Sequence, residues 1–242
     1  IETAKYQPLG EEVDILAAGR ALLRPAELEQ GVILIDVGGL ATNWAVYRKG
    51  SIVANGMVPL GGENLTADLA HGLRITSDQA AEVKETRGVV LRSLVEEASI
   101  EVLFEEERPA ETPGLIAAIL EPRVEEIFTF VKNDFGDLRE LAGLGAGVVL
   151  TGGGSRCQGT RQLCEEVFDL PVQRRHLPDG LIGAERLPEG QWASVLGLSM
   201  WAAQDVEGFA ESDEEMANRG WLNKLRGLFK SQDDDDAMAA EA

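Results

Sequence analysis

Two apolar runs, each ending in a glycine-rich turn, constrain this chain more than any other feature. The first is Gly31-Val32-Ile33-Leu34-Ile35-Asp36-Val37-Gly38-Gly39 and the second is Gly147-Val148-Val149-Leu150-Thr151-Gly152-Gly153-Gly154-Ser155. Short continuous aliphatic runs bounded by glycine read as buried strands. A strand that ends in glycines brings bare backbone N–H groups to its tip, because no Cβ blocks an approaching anion or restricts φ. One such turn says little about function. Two of them, with the acid Asp36 at the tip of the first strand, point to an α/β sheet whose turns can receive an anion.

A third segment stands near the C-terminus, Asn218-Arg219-Gly220-Trp221-Leu222-Asn223-Lys224-Leu225-Arg226-Gly227-Leu228-Phe229-Lys230. Trp221, Leu222, Leu225, Leu228 and Phe229 follow helical spacing and share one face. Arg219, Lys224, Arg226 and Lys230 supply charge with no acid among them. That is the pattern of a helix lying on a membrane surface. Each basic residue near an anionic leaflet contributes on the order of 1 kcal/mol, so the segment predicts moderate, reversible attachment. The plainer reading is a helix packed on its own domain. The acidic run Asp233 to Asp236 follows closely, within about one Debye length (~8 Å at physiological salt), and would weaken attraction to anionic lipid.

Composition excludes several classes. The chain has 242 residues, enough for one or two domains with a substantial core. No apolar run is long enough to span a bilayer. No signal peptide is visible and Ile1 is not a start methionine, so the chain reads as a fragment. The formal net charge of −20 argues against nonspecific nucleic-acid binding, which needs a basic surface. Cys157 and Cys164 have no ligand set around them and read as structural thiols in a reducing compartment. His71 and His176 have no triad or metal partner at readable spacing.

Along the chain, an apolar helical pattern begins at residue 12 and meets a turn or helix restart at Arg24-Pro25. Strands are expected at about 31–36, 43–49 and 51–59, then a helix at about 64–72. Thr76-Ser77-Asp78-Gln79 reads as a capping box for a helix ended by Gly88. A strand is expected at Ser99 to Phe104. Thr112-Pro113 opens a long apolar stripe that Pro122 should kink or divide. Further helices are expected at about 159–168 and 191–205, with a short strand at 171–174 between them. Residues 206–217 are acidic and poor in large apolar groups, which predicts a linker.

From about Gly31 to Lys230 the chain resembles the C-terminal half of the FtsA family of bacterial cell-division proteins, actin homologues that tether the tubulin-like FtsZ to the membrane. The resemblance rests on Asp36-Val37-Gly38-Gly39, Val58-Pro59-Leu60-Gly61-Gly62, Glu121-Pro122-Arg123-Val124-Glu125-Glu126-Ile127, Val149-Leu150-Thr151-Gly152-Gly153-Gly154 and the terminal helix. The pilus protein PilM is a related alternative that would leave the terminal helix unexplained. The resemblance implies an α/β, actin-like (ribonuclease H-like) nucleotide-binding half with an inserted smaller α/β subdomain and a C-terminal amphipathic helix. It divides the chain into a remnant of a preceding half (1–30), a nucleotide-binding subdomain (31–72 and 145–205), an inserted FtsZ-peptide-binding subdomain (73–144), an acidic linker (206–217), a membrane helix (218–230) and an acidic tail (231–242).

The same resemblance implies a site. The first turn would cradle phosphate through Gly38 and Gly39, while Asp36 orients a magnesium-bound water. Thr42 stands one place late for the family's hydroxyl but could slip into register as a nucleotide contact, and Asn43 stands where a second acid is usual, which favours nucleotide binding over strong hydrolysis. Gly152, Gly153, Gly154 and Ser155 would lie against the adenosine. Glu82 and Lys84 would reach ribose and adenine, although Ala81 occupies the usual position of the acid. Arg87 and Arg123 would receive the acidic-ended C-terminal peptide of FtsZ, since a guanidinium pairs bidentately with a carboxylate. Trp221, Leu222, Lys224, Leu225, Arg226, Leu228, Phe229 and Lys230 would contact the membrane. The plainer readings are tight glycine turns, a solvated helix face and surface arginines.

The function expected is an adaptor at the cytoplasmic face of the bacterial inner membrane, at the division site. It would bind ATP with magnesium in a site completed by an N-terminal half, self-associate, and be at most a weak ATPase, with no catalytic residue and no directly bound metal in this stretch. The competing readings are a small-molecule kinase of the same superfamily and a pilus-assembly scaffold.

Overall fold

The strand Val32–Val37 (β1) is apolar on both faces apart from Asp36, so it can sit only in the middle of a covered sheet. The computed structural model, which describes residues 10–95, 112–135, 143–175 and 191–209, places it there. The sheet has five strands in the order β3-β2-β1-β4-β5. Here β2 is Thr42–Arg48, β3 Ser51–Val58, β4 Val148–Thr151 and β5 Val172–Arg174. The first three strands form an antiparallel meander, whereas β4 and β5 join in parallel. The pairing of Asp36 with Thr151 sets the tips of β1 and β4 side by side. Both glycine turns therefore leave the sheet at the same edge.

The described residues divide into two compact units. The larger holds the sheet with helices α2 (Pro25–Gln30), α3 (Gly62–Leu73), α4 (Ser77–Arg87), α5 (Pro113–Asp134) and α6 (Thr160–Phe168). The smaller pairs α1 (Asp14–Leu22) with α7 (Ala193–Phe209). Ala17 and Ala18 are fully buried in that pair, and a Cβ on Gly197 would collide with the Ala17 carbonyl, so small residues let the two backbones touch. The helix expected at 191–205 thus packs on α1. Its backbone remains helical to Phe209, four residues into the expected linker. Acidic composition alone does not stop a helix that has already nucleated. The rest of that linker, the strand expected at Ser99 to Phe104, the membrane helix, the acidic tail and His176 lie outside the described residues.

The described part of 73–144 does not separate into a unit of its own. Leu73, Ala80 and Val83 share one apolar cluster with Ile116, Leu120 and Phe128 of α5 and with Ile33, Ile35 and Leu150 of the sheet. This shared core also bears on Pro122, where a kink or a division is expected. Helix α5 runs undivided through Pro122, because Ile116 and Leu120 before the proline and Val124, Ile127, Phe128 and Val131 after it bury into the same cluster. That burial outweighs the hydrogen bond lost at the proline. The end of α5 is held by aromatic contacts: Phe135 meets Trp44 edge-on at 4.6 Å, and Trp44 donates Nε1–H to Asp134 Oδ2 at 3.1 Å.

Local signals behave as expected at the caps. Thr76 Oγ1 accepts from the Gln79 N–H while Gln79 Oε1 accepts from the Thr76 N–H, and Thr112 Oγ1 accepts from the Leu115 N–H. At α2 the Glu27 carboxylate does two jobs. It accepts from the Arg24 N–H at 2.8 Å and takes two bonds of 2.6 Å from the Arg175 guanidinium, just beyond β5. The Arg175 bonds hold the Glu27 carboxyl below its usual range. A depressed folded-state pKa contributes stability that is present above the unfolded value and is lost as pH falls through the folded value. Replacing Glu27 by Gln should therefore cost about 1–3 kcal/mol at pH 7, with the deficit shrinking as pH drops below 4.5, the ordinary Glu27 value. Urea melts of both proteins across that range check this; equal stability at pH 7 would show that the pair contributes nothing net.

Candidate functional site

The turns after β1 and β4 line a cavity of about 550 Å³ at the shared sheet edge. Gly38 and Gly39 form one wall. The Gly38 N–H closes its own turn on the Ala41 carbonyl at 2.9 Å. A Cβ on Gly39 would meet nothing within 4 Å, so that backbone faces open space. Gly152, Gly153 and Gly154 form the opposite wall. Gly152 has φ +90°, and a Cβ there would overlap Asp36 Oδ1 and the Val37 carbonyl. A Cβ on Gly154 would stand 2.5 Å from Val37 Cγ1. These two glycines are therefore required by the close approach of the second turn to the first strand.

A third glycine pair, Gly61-Gly62 at the start of α3, braces the first turn from behind. The Gly62 N–H donates to the Gly38 carbonyl and the Glu63 N–H to the Gly39 carbonyl, both at 2.8 Å. A Cβ on Gly61 would lie 2.6 Å from the Gly39 oxygen. Gly62 also lines the cavity. The first turn is thus fixed by its own carbonyls, which leaves its cavity side clear.

Helix α4 supplies the remaining wall with Lys84, Glu85, Thr86 and Arg87, continued by Gly88. Arg156, Cys157 and Gln158 follow from the second turn, and Gln191 stands beside Gly153. Three cations, Lys84, Arg87 and Arg156, face two acids, Asp36 and Glu85, around the cavity. Backbone amides at two turns together with this cationic lining suit a polyphosphate, and Asp36 lines the same cavity. Among the described residues no cluster of three or more His, Cys, Asp or Glu could hold a metal by itself. Burial pushes the Cys157 and Cys164 thiols up, away from the reactive thiolate.

The expected site residues divide. Asp36, Gly38, Gly39, Lys84 and the three glycines of the second turn meet at the cavity. Thr42 does not: its fully buried hydroxyl donates to the Leu60 carbonyl at 2.8 Å. Ser155 turns inward and donates to the Gly152 carbonyl at 2.7 Å, closing the turn. Glu82 is outside the lining, with Glu85 one helical step on taking a place at the wall. Arg87, expected in a peptide site, lines this cavity instead. Arg123 lies apart, in an open groove of about 470 Å³ between α3 and α5. There it pairs with Asp68, Nε to Oδ2 at 2.6 Å and Nη2 to Oδ1 at 3.3 Å, and with Glu126. The Asp68 bonds hold its guanidinium firmly charged. The eight residues from Trp221 to Lys230 that are expected at a membrane lie outside the described residues.

Sequence reasoning did not place Gly62, Glu85, Thr86, Arg156, Gln158 or Gln191 at the site. Gly62 could have been found, because Gly61-Gly62 repeats the strand-then-glycine pattern of the other two turns. The others carry no local signal. The wall geometry makes a paired prediction. Gly152→Ala should lower the melting temperature by several degrees or prevent folding, since both φ and the Asp36 contact forbid a Cβ. Gly39→Ala should leave the melting temperature nearly unchanged. Differential scanning calorimetry of both variants decides it, and equal melting temperatures would show the second turn to be laxer than its contacts imply.

A family model described as cell division protein FtsA matches residues 33–197. The cell division protein FtsA of Neisseria meningitidis serogroup B is 34% identical over 200 residues, covering 80% of this chain and 47% of that protein. The chain spans about half the length of the curated relatives it matches. Among solved structures, MreB5 of Spiroplasma citri bound to ADP superimposes with a TM-score of 0.63 at 19% identity, covering 83% of this chain and 62% of that one. The PilM–PilN type IV pilus biogenesis complex gives a TM-score of 0.60 at 18% identity, covering 83% and 55%. Those two likenesses are of fold, and the fold is actin-like.

Proposed function

The chain belongs to the FtsA family of cell-division proteins, and on that premise we propose that it forms the nucleotide-binding, filament-tethering half of a division adaptor. ATP with magnesium occupies the cavity between the two glycine turns, together with an N-terminal half. Nucleotide governs self-association, FtsZ is the partner through its acidic-ended C-terminal peptide, and the helix 218–230 holds the assembly on the anionic inner leaflet at the division site. Any ATP hydrolysis is weak, since Thr42 is committed to Leu60 and Asn43 stands where a second acid is usual.

The observation that carries the nucleotide reading is the meeting of two glycine turns and Asp36 at one edge of the sheet, with Gly39 facing open space. The ADP bound to MreB5 of Spiroplasma citri supports it by analogy of fold. The FtsZ reading draws on family membership. Arg123 is already met by Asp68 and Glu126, so a peptide carboxylate there would replace one of them. The kinase alternative gains nothing from the described site, which holds no candidate for a second catalytic acid beside Asp36 on the first turn. The scaffold alternative shares the fold but gives the terminal helix no task.

Two measurements test this. Gly39→Val places a side chain in the open part of the cavity, so ATP affinity, read by anisotropy of a fluorescent analogue, should fall more than tenfold with little change in melting temperature. Unchanged affinity would remove this cavity from nucleotide binding. The double variant Trp221→Glu, Leu225→Glu should abolish sedimentation with anionic liposomes, whereas deleting Asp233 to Asp236 should strengthen it, most at low salt where screening is weakest. If the double variant instead melts early, and the parent never binds liposomes, the terminal helix is a packed element of the fold.

A further inference from the structure

The Lys84 ammonium lines the cavity, but its two hydrogen bonds run to α3: 2.9 Å to the Gly62 carbonyl and 2.7 Å to Thr66 Oγ1. Thr66 is buried, lies outside the cavity, and itself donates to the Gly62 carbonyl at 3.2 Å. A lysine amine with fixed acceptors at two of its three donor positions is a brace between helices. What it braces matters for the site. Gly62 and its neighbour Glu63 hold the Gly38 and Gly39 carbonyls of the first turn. At the other end of α4, the Gly88 carbonyl accepts from the Gln158 N–H at 2.9 Å and the Val90 N–H donates to the Gln158 carbonyl at 2.8 Å. Gln158 follows directly from the second turn. There is no room to loosen this end, since a Cβ on Gly88 would stand 2.7 Å from Cys157 Sγ.

We infer that Lys84 is a positioning residue that fixes the spacing between the two glycine turns. The chain of contacts runs from the first turn through the α3 N-terminus to Lys84, along α4 to Gly88, and through Gln158 to the second turn. The inference rests on the nucleotide reading of the cavity and deepens it. Lys84 acts on the wall that receives phosphate by holding α3, so its loss should be felt by ligands with a polyphosphate and not by those without one. A lysine that touched the nucleoside directly would instead weaken both equally.

The test uses the protein as its gene encodes it, with ATP and AMP titrated by calorimetry into the parent, Lys84→Met and Thr66→Val. Lys84→Met should lower ATP affinity at least tenfold and leave AMP affinity within about twofold. Because removing a positive charge could itself weaken ATP more than AMP, Thr66→Val is the deciding variant. It keeps the ammonium, lies outside the cavity and removes one acceptor, and should lower ATP affinity about threefold or more with AMP unchanged. Equal losses for ATP and AMP in Lys84→Met would overturn the inference in favour of direct contact. A loss in Lys84→Met with none in Thr66→Val would overturn it in favour of simple charge attraction. Failure of the parent to bind ATP would overturn the nucleotide reading, and this inference with it.

Discussion

The parallel pairing of β1 with β4 is the constraint on which the site depends. Parallel neighbours end at the same edge, so two turns far apart in the chain emerge beside each other, with Asp36 against Thr151 at the last step of the ladder. An antiparallel partner would have sent the second glycine turn to the opposite edge. The cost of this arrangement is crowding. The second turn passes so close to Asp36 and Val37 that Gly152 and Gly154 have no space for a Cβ. Glycine at these positions serves the packing of one loop on one strand as much as any ligand. Gly39, which faces open space, is the position where absence of a side chain leaves room and not merely contact.

The parallel connection also needs a long crossover, and the chain between β3 and β4 supplies it. Its described helices do not stand apart as a separate lobe. They cover one face of the sheet, with Phe128, Leu120 and Ile116 of α5 fully buried. Continuity of that core explains why α5 continues through Pro122 and why the wall carrying Lys84 and Arg87 sits over the turns. The site is therefore built from three glycine segments and one helix that are mechanically joined: α3 to the first turn by backbone hydrogen bonds, α4 to α3 by Lys84, and α4 to the second turn through Gln158.

Charge is distributed with similar economy. The chain is strongly acidic overall, yet several arginines of the larger unit are absorbed by local carboxylates: Arg123 by Asp68 and Glu126, Arg92 by Glu121, Arg175 by Glu27. Among the described residues, Lys84, Arg87 and Arg156 gather around glycine backbone at the cavity. At the groove of Arg123 the guanidinium is held by Asp68 and Glu126.

The sequence by itself determined the five strands of the described sheet, their glycine turns, the caps at Thr76 and Thr112 and the family, because each of these is written in neighbouring residues: continuous apolar runs, a hydroxyl three residues before its amide partner, glycine where no Cβ fits. Through the family resemblance it also proposed Asp36, Gly38, Gly39, Thr42, Glu82, Lys84 and the second turn as one set. Only the tertiary structure decided which way particular side chains point. Thr42 and Ser155 have the right chemistry for a phosphate site but spend their hydroxyls on the Leu60 and Gly152 carbonyls. Arg87 joins the cavity, Arg123 does not, and α7 pairs with α1. A side chain's partner and a helix's docking face are set by residues distant in sequence, through the packing of α3, α4 and α5 on the sheet. No local pattern carries that information.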